Sequence, residues 1–212
     1  MEIAYEGGAV TGIPAGEPGP VGVVLAHGAG IGQDHPWMTT VREGLAAHGL
    51  FVVTFNYRYM EAGRKSPDRL PMLLEVHRAA ADLVASECDR VVLAGKSMGG
   101  RVASHLVGDE GWPAVGLVYY GYPLVPMGKD APRATDHLER IAAPQLFFAG
   151  TRDKLSPPSL IGEVAAAVPD GALEVVEDGD HSFRVLKRTG MSNEQVLAEI
   201  VEATATWIAT RI

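Results

Sequence analysis

The chain has 212 residues, 47% of them hydrophobic and 21% charged, and a formal net charge of −8 at pH 7. That length and composition suit one domain with a sizeable core, expected over residues 1–212. An acidic chain repels phosphate backbones, which argues against nucleic acid as a partner.

The first 20 residues carry no clear period and suggest one or two antiparallel edge strands. Residues 21–26 (VGVVLA) form a continuous apolar run, as a buried parallel strand should. A glycine-rich loop, HGAGIGQDHP, follows. A helix is expected over 37–48, with Asp34 as N-cap, Pro36 in the first turn and Gly49 as the stop. Residues 50–55 read as a strand and 56–67 as a polar loop. Residues 71–87 read as a helix whose apolar face holds Leu73, Leu74, Val76, Ala80 and Leu83. A strand at 90–94 runs into GKSMGG and a helix after Gly99. Then come a strand at 115–120, a proline-containing loop at 121–136 and at most a short helix at 137–141. A strand at 145–149, a helix at 158–168, a strand at 172–176 and a helix at 193–210 complete the chain. Strand and helix alternate at short intervals. That pattern argues for an α/β fold of three layers, a mostly parallel sheet covered on both faces.

One cysteine, Cys88, leaves no internal disulfide framework. The opening MEIAYEGGAV lacks a basic segment followed by an apolar one, and no apolar run reaches membrane-spanning length. The expectation is a soluble, cytoplasmic protein with no membrane contact.

Three motifs compete for Ser97. A phosphate loop would need a glycine five positions before Gly95, where Arg90 stands. A dinucleotide fingerprint beginning at Gly28-Ala29-Gly30 would need a small residue at 33, where Gln33 stands, and an acid after the next strand, where Asn56 stands. Gly95-Lys96-Ser97-Met98-Gly99, between an apolar strand and a helix, instead fits a nucleophile elbow. Small residues flank the serine because strand and helix must approach closely in that turn. The Met98 N–H, at the start of the helix, can face a developing oxyanion.

A serine nucleophile needs a base, and the base needs an orienting acid. On this scaffold the expected chain order is serine, acid, histidine. Asp153 lies just past the 145–149 strand, and His181 lies just past the 172–176 strand. Both therefore belong to the same sheet edge as Ser97. The second oxyanion donor is expected from the loop His27-Gly28-Ala29-Gly30, with Ala29 supplying the N–H. His27 is read as a support for that loop.

HGAG at 27–30, GKSMGG at 95–100, GTRD at 150–153 and DHSF at 180–183 together resemble the α/β-hydrolase superfamily. FNYRYMEAGRKSPDR at 55–69 and GYPL at 121–124 are similar to its small, lidless branch, which includes testis-expressed protein 30 and its relatives. Dienelactone-hydrolase-like enzymes are more distant neighbours; dienelactone hydrolases themselves use a cysteine where this chain has Ser97. The resemblance implies Ser97 as nucleophile, Asp153 as acid, His181 as base and oxyanion donors at Met98 and Ala29. It also implies a cofactor-free serine hydrolase acting on a small-molecule ester or thioester, with no metal and no large lid. Acyl transfer to another acceptor, peptide cleavage, or an idle hydrolase fold serving as a protein-interaction module are the alternatives.

Other residues carry weaker readings. Tyr57, Tyr59, Arg64 and Tyr122 are candidate substrate contacts, with core packing the alternative for the tyrosines. Arg58, Arg64, Lys65 and Arg69 form a basic loop, read as solvated or as an anion site. Arg101 is read as a structural ion-pair partner. Asp178 and Asp180 are read as turn residues or solvated charges, Cys88 as inert, and Lys96 has no assigned role.

Overall fold

The computed structural model describes residues 1–212. Eight strands form one sheet. They are β1 (Glu2–Tyr5), β2 (Gly8–Ala15), β3 (Val21–Ala26), β4 (Phe51–Phe55), β5 (Arg90–Lys96), β6 (Gly116–Tyr120), β7 (Gln145–Gly150) and β8 (Gly171–Val176). Their spatial order is β1-β2-β4-β3-β5-β6-β7-β8. From β4 to β8 every pairing is parallel. The hairpin β1–β2 joins antiparallel and lays β2 against β4, so both of the ambiguous N-terminal strands exist.

The inner strands are buried on both faces, which is why they read as unbroken apolar runs. Successive side chains point to opposite faces. Val91 and Leu93 of β5 join the core on one side, whereas Val92 and Ala94 join the core on the other. The first side is covered mainly by α3 (Leu70–Glu87) and α4 (Met98–Gly108), with α6 (Pro158–Ala167) farther along. The second is covered by α1 (Pro36–Ala47) and α7 (Asn193–Arg211), which pack on each other. Removing a fully buried side chain such as Leu93 from this sandwich costs about 2–5 kcal/mol.

Two local expectations need correction. His35, not Asp34, caps α1: its ring nitrogen accepts the Trp37 N–H at 3.2 Å. Imidazole reached the open N–H where the preceding carboxylate did not. Residues 56–67 are not wholly loop, because Arg58–Glu61 form a short helix, α2. Ser192 and Gln195 close a capping box on α7.

The parallel order decides where chemistry is possible. Strands β3, β5, β7 and β8 all end at one edge, so the loops after Ala26, Lys96, Gly150 and Val176 converge there. Between β6 and β7, residues 121–144 carry only α5 (Asp136–Glu139), four residues long, and no large lid stands over that edge. No helix is long and apolar enough to cross a membrane.

Candidate active site

Ser97 joins β5 to α4 at φ 49° and ψ −111°, backbone angles that a side-chain-bearing residue rarely adopts. The glycines around it permit the turn. A Cβ on Gly95 would fall 2.2 Å from the Gly100 nitrogen, and one on Gly99 would fall 2.4 Å from the Ala26 carbonyl oxygen. Ser97 is therefore held proud of the sheet edge, with its backbone N–H bonded to the Tyr120 carbonyl at 2.9 Å.

The structure brings Ser97, His181 and Asp153 together. Ser97 Oγ lies 2.8 Å from His181 Nε2, and His181 Nδ1 lies 2.7 Å from Asp153 Oδ2. A carboxylate can only accept, so Nδ1 carries the imidazole proton and Nε2 presents its lone pair to the serine hydroxyl. The other carboxylate oxygen, Oδ1, accepts the N–H groups of Leu155 (2.9 Å) and Ser156 (3.2 Å). The Asp153 side chain is wholly buried, whereas 29% of the His181 side chain remains exposed. Gly121 lies against both partners, since a Cβ there would sit 3.3 Å from Asp153 Oδ2 and from His181 Cε1.

The loop after β3 comes close to the serine, since a Cβ on Gly28 would sit 3.5 Å from Ser97 Cβ. Met98 is the first residue of α4, and no preceding helical turn can take up its N–H. The Ala29 N–H makes no hydrogen bond within the chain and lies in an exposed stretch. Behind Ala29, His27 is fully buried. Its Nδ1–H donates to the Gly28 carbonyl at 2.8 Å, and its Nε2 accepts the Tyr57 N–H at 3.1 Å. Burial pushes its pKa down to about 4, so the ring stays neutral and keeps one donor and one acceptor.

The loop carrying His181 is built from charges. Asp180 accepts the N–H groups of Ser182 (2.8 Å) and Arg184 (3.0 Å) and pairs with the Arg184 guanidinium at 2.9 Å. Asp178 is gripped by Arg188. Phe183 is buried at φ 60°, a strained angle for a bulky residue.

Lys96 was not legible as a working residue, and here it links the two segments. It is only 4% exposed, and its ammonium donates to the His181 carbonyl at 2.6 Å. The same ammonium lies 5.3 Å from the Trp37 ring centroid and 5.5 Å from that of Phe183. Burial pushes its pKa down to about 8, against the opposing pull of Asp153 and Asp180. A lysine inside an apolar strand end was the one signal available.

The expected substrate contacts fare differently. Tyr57 and Tyr59 are fully buried, and the Tyr57 hydroxyl bonds His77 Nδ1 at 2.9 Å. Tyr122 is 2% exposed, with its hydroxyl turned to Ser104 and His137. These tyrosines pack the core and offer substrate no face. Arg64 is exposed but ion-paired with Asp68 at 2.6 Å. Arg101, by contrast, has no ion pair at all. A cavity of about 670 Å³ lies between β8 and α7, and neither Ser97 nor His181 lines it. Ser97 itself is partly buried. No group of three or more His, Cys, Asp or Glu side chains could hold a metal ion.

A serine in a strained strand-to-helix turn, bonded through a histidine to a buried aspartate on an eight-stranded, mostly parallel sheet, defines the architecture of an α/β hydrolase. The family model described as "Alpha/beta hydrolase domain" matches residues 20–209, and the chain belongs to that family. Solved structures share its fold at low identity. Est1E from Butyrivibrio proteoclasticus, with ferulic acid bound, is similar at a TM-score of 0.81 and 14% identity over 100% of this chain and 98% of that one. A dienelactone hydrolase from Anabaena variabilis gives 0.78 and 17%, over 100% and 96%. A lidless serine hydrolase from Xanthomonas campestris gives 0.70 and 19%, over 96% and 93%.

Proposed function

We propose that this chain is a serine hydrolase that cleaves an ester or thioester of a small or exposed acyl group. In this reading His181 Nε2 takes the proton of Ser97 as Ser97 Oγ bonds to the substrate carbonyl carbon. The Met98 and Ala29 N–H groups hold the oxyanion. As the bond to the leaving oxygen or sulfur breaks, His181 returns the proton to it. Water, deprotonated by the same imidazole, then releases the acid from Ser97. Asp153 fixes the tautomer and stabilises the imidazolium.

The observation that carries this reading is the unbroken relay from Ser97 Oγ through His181 to a buried Asp153, with steps of 2.8 and 2.7 Å. Esterases among proteins of the same fold are consistent with it. The lack of a large lid over the Ser97 edge favours small or protruding acyl groups over long buried chains.

The test is labelling with a fluorophosphonate probe, which reports an activated serine without requiring the substrate. Wild type should label on the peptide containing Ser97, and Ser97→Ala should not. Well-folded wild type that fails to label from neutral to mildly alkaline pH would sink the enzyme reading and favour an interaction module.

A further inference from the structure

Arg101 stands four residues beyond Ser97, one turn along α4, and its N–H bonds the Ser97 carbonyl at 3.1 Å. Side chains four apart share a helix face and lean toward the helix N-terminus. Arg101 thus leans toward the serine end of α4. It is half-buried, yet its guanidinium makes no ion pair and no hydrogen bond within the chain. Burial and the neighbouring Arg133 guanidinium both push its pKa down, and no carboxylate opposes them.

Arg133 comes from the loop between β6 and α5. It is pinned beside the same edge, with Nε donating to the Pro123 carbonyl at 3.2 Å and its backbone N–H to the Leu124 carbonyl at 2.8 Å. The Tyr122 hydroxyl lies 3.3 Å from Ser104 Oγ, which donates to the Arg101 carbonyl at 2.8 Å; burial raises the Tyr122 pKa, and the charges of Arg101 and Arg133 oppose that rise. The preceding residue, Gly121, abuts His181 and Asp153. Asp109, two turns farther along α4 from Arg101, is occupied by His105 at 2.7 Å and by Arg140, and Glu163, which shares a pocket lining with Arg133, makes no ion pair with it. A chain of net charge −8 thus holds two guanidinium groups without an ion pair beside the loop that follows β6, the loop whose Gly121 abuts the relay. A half-buried cation without a partner is costly, and an anion from outside would remove that cost.

We propose that Arg101, one turn of α4 beyond Ser97, and Arg133 form an anion subsite that binds a carboxylate or phosphate carried by the substrate. The proposal rests on Ser97 being the nucleophile. The guanidinium fork suits a planar carboxylate or a phosphate oxygen pair, whereas a neutral acyl group would leave both cations bare. The same charges would steer anionic substrates to an edge of an otherwise repelling protein.

Three esters test it. Mono-4-nitrophenyl glutarate carries its carboxylate on the acyl side, 4-acetoxybenzoate carries it on the leaving group, and 4-nitrophenyl butyrate is neutral. The quantity read is the kcat/KM ratio of each anionic ester to the neutral one, at low and at high salt. Wild type should favour one anionic ester, and which one tells the side of the bond the subsite serves. Arg133→Gln and Arg101→Gln should each lower that ratio by about tenfold. Arg101→Lys should recover part of it, and salt should erode it in wild type. Arg133 is exposed, so its variant remains informative should Arg101→Gln fail to fold. Ratios that do not change in the Arg133→Gln variant, or that favour neither anion in wild type labelled at Ser97, would overturn the subsite. Absence of labelling at Ser97 would overturn the hydrolase reading, and the subsite with it.

Discussion

The two segments that meet at the Ser97–His181 hydrogen bond are held by different means. The elbow, β5 into α4, is fixed by exclusion: its backbone atoms are so close that Gly95 and Gly99 have no room for a Cβ. The 177–188 loop is fixed by attraction: Asp180 to Arg184, Asp178 to Arg188, and Lys96 to the His181 carbonyl. A steric device has no pH dependence and tolerates no enlargement. An electrostatic device tolerates changes of shape but answers to charge and salt. Rigidity at this edge therefore comes from two independent sources.

The largest effect should come from the relay itself. Asp153→Asn keeps the shape but favours the wrong imidazole tautomer, and ester hydrolysis should fall roughly a thousandfold to ten-thousandfold. Activity within tenfold of wild type would remove Asp153 from the mechanism. Next comes the elbow. Gly99→Ala drives a methyl into the Ala26 carbonyl, and urea denaturation should show a loss of about 3 kcal/mol or more. A near-neutral result would mean that the turn relaxes and that exclusion does not fix it.

Acid should act on the histidine supports behind the elbow, not on its close backbone packing, before it acts on the loop. His27 and His77, behind the elbow, have pKa values pushed down by burial to about 4 and about 3. The unfolded chain, with histidine near 6.5, binds more protons than the folded one across the window from about 6.5 to about 4. Stability therefore falls as pH drops through that window, by about 1.4 kcal/mol per pH unit for each such histidine. The loop behaves otherwise. Its hydrogen bond from Arg188 holds Asp178 below the usual carboxylate range. Burial pushes Asp180 up, but the Arg184 and Ser182 N–H groups outweigh it and leave the pKa lowered. What these carboxylates contribute is present above about pH 4 and is lost only below it. Hydrogen exchange at pH 5, corrected for intrinsic rates, should show residues 27–33 and 56–60 opening before 178–186. The reverse order would break the comparison.

The smallest effect concerns the link between the segments. Lys96→Met should lower kcat by about tenfold, since one charge-assisted hydrogen bond is lost. Wild type should also lose activity as pH rises through about 8, where the Lys96 ammonium deprotonates, and Lys96→Met should lack that limb. An identical alkaline profile in both proteins would mean that the contact only fills space.

The meeting of Ser97, Asp153 and His181 was legible because each lies just past an apolar strand, and a parallel sheet sends all such loops to one edge. The strands were legible because burial on both faces leaves unbroken runs of Val, Leu and Phe. The wall around the site was not legible. Tyrosine has one apolar body and one polar tip, and the sequence does not say which of them meets water. Tyr57 and Tyr122 went to the core because His77, Ser104 and His137 were there to take their hydroxyls. Lys96 and Arg101 were missed because pairing depends on residues far away in the chain: the carbonyl that takes Lys96 is 85 positions on. Arg101 was expected to find an acid and found a second arginine.

The position of β8 sets a clock. It is the last strand in the chain and the outer strand of the sheet, and the loop that follows it carries His181. A chain emerging from synthesis can pair β3, β4, β5 and β6 and form the Ser97 turn well before residue 171 appears. Throughout that interval the serine has no base and is an ordinary alcohol. On the proposed reading, reactivity at Ser97 would mark the docking of the final strand, and a probe for that serine would count only chains that have closed that edge of the sheet.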